Sequence, residues 1–218
     1  AINVTVASPH AGFLETAEDI YTVLTYYDAL SDRIMPVKRA EDIDEAKRTG
    51  RLGIMIGLQD VSTLEGRLPL LTVLYELGLR VMTLTYNERN ALGDGCTEPH
   101  DHGITNFGQQ VVRDMGRLGI VLDLTHSSYR TTMDAMEVTE QPPIFSHSNP
   151  YSMTPSKRCI KDDQIEACVQ LGGVVGISVW APMACSDPNA QPTLDDYLDR
   201  IDYVADKFGI DHVGIGTD

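Results

Sequence analysis

Apolar and polar positions along this chain fall into one repeating block. A stripe of apolar residues at helical spacing runs up to a glycine. A short run that is apolar at nearly every position follows, and a polar residue closes it. Leu52–Gln59, Leu77–Tyr86, Leu118–His126, Leu171–Trp180 and Phe208–Asp218 are the five clearest cases. Runs apolar on both parities fit strands covered on both faces, as in a parallel sheet under helices. Ile2–Ala7 and Pro143–His147 bring the expected strands to seven. Glycine just past a helix takes the left-handed conformation cheaply, so Gly53, Gly78, Gly119, Gly172 and Gly209 read as C-terminal caps.

The intervening helices are read from their stripes. Leu194, Leu198, Ile201, Val204, Ala205 and Phe208 form one stripe, opposite Asp195, Asp199, Asp202 and Asp206, with a capping box at Thr193 and Asp196. Phe107, Val111, Val112, Met115 and Leu118 form another, starting near Asn106. Glu15–Leu30, Glu41–Thr49, Pro69–Leu77 and Tyr129–Val138 complete the set, and Cys168 is expected on a buried helix face. Asn87–Gly103 and Ala181–Pro192 break the rhythm and read as long loops after strands, where function concentrates.

Alternating strand and helix implies a parallel sheet, either a closed (β/α)₈ TIM barrel or an open doubly wound sheet. No GxGxxG follows the first strand, which weakens the dinucleotide-binding alternative. The 218 residues read as a single barrel domain over 1–218. The chain opens inside a strand pattern and ends on a strand. We therefore expect part of a longer protein, a barrel truncated at both ends that lacks its first strand and its final helical region.

A parallel sheet gathers its strand ends at one rim, which is where such folds place their chemistry. The residues closing the strands are Gln59, Tyr86, His126, His147, Trp180 and Asp218. His126 and His147 end two strands of one βαβ unit and should stand side by side. Two imidazoles, an acid, an amide and a phenol at one mouth suit a metal hydrolase. Asp123 reads as an acid lying behind the ligands, and Trp180 as packing. His100 and His102 read as a solvated loop, His10 as outside the site, and His212 as lying on the opposite, stabilising face.

Composition narrows the classes. A formal charge of −15 argues against nucleic acid, whose backbone calls for clustered Lys and Arg. No apolar run approaches a membrane span. The four cysteines, Cys96, Cys159, Cys168 and Cys185, lack CxxC spacing and read as reduced thiols of a cytoplasmic protein.

Several segments taken together resemble the renal (membrane) dipeptidase family of zinc metallopeptidases. They are Leu77–Arg80, Leu84–Asn87 with Asn90, Gly103–Gly108, Asp123–His126, Phe145–Ser148, Arg158 and Gly214–Asp218. The resemblance spans nearly the whole chain. It implies a (β/α)₈ barrel of the metal-dependent hydrolase type, with zinc ligands at His126 and His147. It also implies a substrate-carboxylate clamp at Arg158 and an acid acting on water at Asp218. A homodimer and a small dipeptide-like substrate follow from it too. The sequence departs from the family in three places. The His-x-Asp metal pair of the family's first strand has no match and is expected before Ala1. The bridging glutamate falls on Gln59, and the substrate-binding histidine on Tyr86. A neutral amide cannot supply the anion that holds two dications together. The expectation is therefore a weakened or one-metal Zn²⁺ site, or none, with Gln59 as a weak oxygen ligand and Tyr86 as a hydrogen-bond donor to substrate. Two functions follow: a hydrolase of dipeptides or similar small amides, or a catalytically silent barrel that binds a small ligand or partner.

Overall fold

The computed structural model describes residues 1–185 and 191–218. Strand β1 (Ile2–Thr5) leads into helix α1 (Phe13–Ala29), β2 (Ile34–Pro36), α2 (Ala40–Thr49) and β3 (Leu52–Leu58). Then come α3 (Pro69–Leu77), β4 (Leu79–Thr83), α4 (Asn106–Leu118), β5 (Val121–Asp123), α5 (Tyr129–Val138) and β6 (Ile144–Ser148). The chain closes with α6 (Asp162–Gln170), β7 (Val174–Ser178), α7 (Ala181–Ala184), α8 (Leu194–Phe208) and β8 (Val213–Gly216). Every strand pairing is parallel, in the order β1-β3-β4-β5-β6-β7-β8, with β2 alongside β3.

The sheet curls into a partial barrel. Its end strands β1 and β8 both line a cavity of about 750 Å³, shared with Met55, Thr83 and Ser146. The helices cover the outer face, and their buried side chains join Leu79, Met82, Leu122, Phe145, Val175 and Ile177 in one core. The curl depends on small residues. A Cβ on Gly176 or on Gly216 would sit 2.2 Å from the carbonyl oxygen of Ser146, so both positions exclude any side chain.

Five readings are corrected. The described residues hold eight strands, not seven. The additional one, β2, is three residues long and ends in proline, so it carries no apolar run to betray it. The cap before β3 is Gly50, with φ +69°, whereas Gly53 lies inside β3. Gly78, Gly119, Gly172 and Gly209 do have positive φ. The α8 stripe is only half right: Val204 is buried, but Leu194 is 70% exposed. Arg200 takes the inner face instead, donating to Asp196 O and Thr154 Oγ1. Trp180 is 44% exposed and is not packing. The expected loop Ala181–Pro192 begins as α7, and its residues 186–190 lie outside the described residues.

The other boundaries fall close to expectation. α3 and α5 match to the residue, Thr193 and Asp196 form the capping box, and the four thiols are unpaired. No described helix is long and apolar enough to cross a membrane.

Candidate metal and substrate site

β5 ends at Asp123, and the chain then turns so that His126 has φ +67°. A left-handed backbone is costly for a residue with a Cβ and collects at functional sites. The turn swings the His126 ring across to His147 on β6, bringing the two Nε2 atoms to 2.9 Å. Asp123 lies behind the pair.

Both imidazoles are held from the rear. His126 Nδ1 donates to Asn87 Oδ1 at 2.7 Å, and Asn87 itself has φ +61°. His147 Nδ1 lies 2.8 Å from Ser146 Oγ, which lies 2.5 Å from Asp123 Oδ2. The short Ser146–Asp123 contact places the hydroxyl proton between those oxygens, so Ser146 Oγ accepts the Nδ1 proton of His147. Asp123 is 2% exposed and is fixed by Thr83 Oγ1, Thr125 N and Oγ1, and Ser146 N. With both Nδ1 atoms protonated, both Nε2 atoms turn lone pairs toward one point. Two lone pairs 2.9 Å apart repel unless a proton or a cation lies between them.

Electrostatics keeps both rings neutral. Burial, then the Arg158 guanidinium and His147, pushes the His126 imidazole down to about 2. Burial also lowers His147, against the pull of the Asp123 and Asp218 carboxylates. Both rings are neutral at pH 7, which is the metal-binding form. The donor set therefore fits a borderline-soft ion such as Zn²⁺. Among the described residues, no group of three His, Cys, Asp or Glu side chains is arranged to hold a metal ion. The imidazole pair offers two neutral nitrogen donors and not a full ligand shell.

The remaining expected residues sit around this pair. Asp218 Oδ1 is 3.8 Å from His147 Nε2. Arg158 Nη2 donates to His126 Nε2 at 3.2 Å. The Tyr86 ring stacks on His126 with centroids 4.2 Å apart. Gln59 lines the same cavity as His147 and Asp218 but bonds to neither histidine. Sequence reasoning passed over Asn87, Ser146 and Cys96, whose Sγ lies 3.5 Å from Asn87 Oδ1. Asn87 stands among the matching motif residues, but only the left-handed turn reveals its contact with His126.

The other histidines stay apart. His10 is exposed and His212 Nδ1 bonds Gly173 O. His102 is not a free loop residue: with Arg89 it grips the buried Asp94 carboxylate.

Known proteins resemble this chain over most of its length. The family described as Membrane dipeptidase (Peptidase family M19) matches residues 7–218. Dipeptidase tcpJ of Claviceps purpurea (strain 20.1) is 30% identical over 211 residues, which is 96% of this chain and 49% of that protein. An uncharacterized dipeptidase, C965.12 of Schizosaccharomyces pombe, is 33% identical over 79% of this chain and 42% of its own length. An amidohydrolase from Pseudomonas aeruginosa superposes with a TM-score of 0.93 at 32% identity, covering 99% of this chain and 65% of that one. A metallo peptidase from Rhodobacter sphaeroides, solved with a phosphinate mimic of the dipeptide L-Ala-D-Ala, has a TM-score of 0.88 at 23% identity, covering 97% of this chain and 64% of that one. That likeness speaks to the fold alone. The chain spans about half the length of the curated relatives it matches. On the extent of the family match, the chain belongs to the membrane dipeptidase family, peptidase family M19.

Proposed function

We propose that this protein is a metal-dependent hydrolase that cleaves the amide bond of dipeptides or similar small amides. The observation that carries this reading is the pair of neutral imidazoles whose Nε2 atoms meet at 2.9 Å, each with its Nδ1 tied to an oxygen. His126 and His147 would hold Zn²⁺, with Gln59 Oε1 as a weak further donor. When bound, the ion supplies Lewis acidity and lowers the pKa of water toward about 7.

The chain's own groups do the rest. The Asp218 carboxylate, beside His147, accepts the proton of the attacking water and passes it to the leaving amine. Arg158 offers a planar fork to the substrate carboxylate. To do so its guanidinium turns away from His126 Nε2, which frees that lone pair for the ion. The Tyr86 hydroxyl, which no described side chain engages, donates to the scissile carbonyl oxygen as charge grows there. Gln59 brings no negative charge, so the site would hold one ion more readily than a bridged pair.

The test is zinc analysis of the full chain together with turnover of Ala-Ala and Gly-Leu. Close to one zinc per chain with amine release supports the reading. Trace zinc after loading, with no release, overturns it. The Gln59 and Tyr86 departures favour a second reading, a silent barrel. Activity in Q59E/Y86H with none in the wild type would establish that alternative.

A further inference from the structure

We infer that the pocket beyond Arg158 selects substrates whose C-terminal residue carries a second carboxylate. This inference rests on the hydrolase reading above. The pocket has a volume of about 190 Å³, begins at His126 and Arg158, and lies between the segments that follow β5 and β6. Lys157, Arg158 and Lys161 all line it. None of the three has a carboxylate within ion-pair distance among the described residues. In a chain of net charge −15, three cations that make no ion pair stand against two acids around one small pocket, which is left net positive and calls for an anionic occupant.

Two acids also border the pocket, and both are already engaged. Asp101 accepts from Ser128 Oγ at 2.6 Å, from Arg130 N at 2.7 Å and from Gly103 N at 3.2 Å. Glu98 accepts from Arg89 N at 2.7 Å. The cations keep spare donors. Lys157 Nζ makes one bond, to Thr97 O at 3.0 Å, and Lys161 Nζ rests over the Tyr129 ring at 4.4 Å from its centroid. The hydroxyl groups of Ser148, Ser156 and Tyr151 complete a polar wall. With the α-carboxylate on Arg158, the side chain of the same residue enters this pocket. A carboxylate there meets Lys157 and Lys161, while a neutral amide of the same shape forfeits the charge-assisted bonds.

The experiment compares Ala-Glu with Ala-Gln and Ala-Asp with Ala-Asn on the zinc-loaded full chain, by kcat/KM and by calorimetric binding. We expect each acid to exceed its amide by about tenfold, as charge-assisted hydrogen bonds warrant. In K157M/K161M that ratio falls to near one. The circular dichroism and unfolding midpoint of K157M/K161M are matched to the wild type first, so that a misfolded variant is told apart from one that has only lost its cations. A wild-type ratio of one, or a ratio unchanged in the double variant, overturns the inference. Preferential binding of the acids without hydrolysis keeps the pocket and removes the hydrolase. Binding of none of the four removes both.

Discussion

Asp123 spends both carboxylate oxygens inside the protein, on Thr83, Thr125 and Ser146, and reaches the site only through Ser146. Its task is to fix the His147 tautomer, as Asn87 does for His126. Removing such a partner typically costs a metal site about 10- to 100-fold in affinity. We expect that loss in N87A, S146A and D123N, measured by competition with a chromophoric chelator. Unchanged affinity would mean that these bonds serve only the strand ends. The same histidines set the acid response. Their folded pKa values lie below the unfolded value of about 6.5. Between the two values the unfolded chain binds more protons, so stability is full above about pH 6.5 and falls as pH drops. Each such histidine contributes about 1.4 kcal/mol per pH unit in that range. Urea unfolding of metal-free protein between about pH 6.5 and 5, above the main carboxylate range, should show this slope. In H126Q/H147Q it should flatten, and an equal slope in both proteins would remove the histidines as its source.

At the scale of elements, the sites lie where strands stop. That Gln59, Tyr86, His147 and Asp218 stand at one rim was legible because a parallel sheet sends every strand end there, and burial on both faces writes each strand as an apolar run. What the pattern could not carry is what departs from the strand. The left-handed turn at His126 and the Asn87 contact that goes with it depend on tertiary placement. β2 escaped because three residues have no period, and the inner position of Arg200 escaped because the helix pattern treats charge as outward. The rhythm of glycines was read as caps, yet Gly176 and Gly216 act on the sheet itself. Each abuts the Ser146 carbonyl, one residue from His147. G176A forces β7 away from β6, and overpacking of this kind costs about 1–3 kcal/mol. It should also shift His147, so zinc affinity should fall together with the unfolding midpoint. A lower midpoint with unaltered affinity would separate the curl from the site. The segment between β4 and α4 offers an independent probe. Asp94 is buried and accepts from Arg89 and His102, so D94N should cost about 1–3 kcal/mol. It should also raise proteolysis between residues 87 and 103, and cleavage at the wild-type rate would show that the segment is held elsewhere.

On the whole-molecule scale, the barrel interior and the acidic surface compete for cations, and the two can be told apart by which ion stabilises the fold. A chain with 32 acidic residues against 17 basic ones attracts any dication. A hard ion such as Mg²⁺ prefers carboxylate oxygen, whereas paired neutral imidazoles favour Zn²⁺. An ion that binds only the folded state at 100 times its Kd stabilises by about 2.7 kcal/mol. For a chain of this length that raises Tm by about 5–11 °C. We expect this shift with Zn²⁺ in scanning calorimetry of the full chain, little with Mg²⁺ at the same ionic strength, and none with Zn²⁺ in H126Q/H147Q. Gln59→Glu places an anionic oxygen in the cavity that His147 and Asp218 also line, so the zinc shift should grow in that variant. Equal shifts with both ions, surviving the loss of both histidines, would assign the stabilisation to the acidic surface and leave the imidazole pair without a metal.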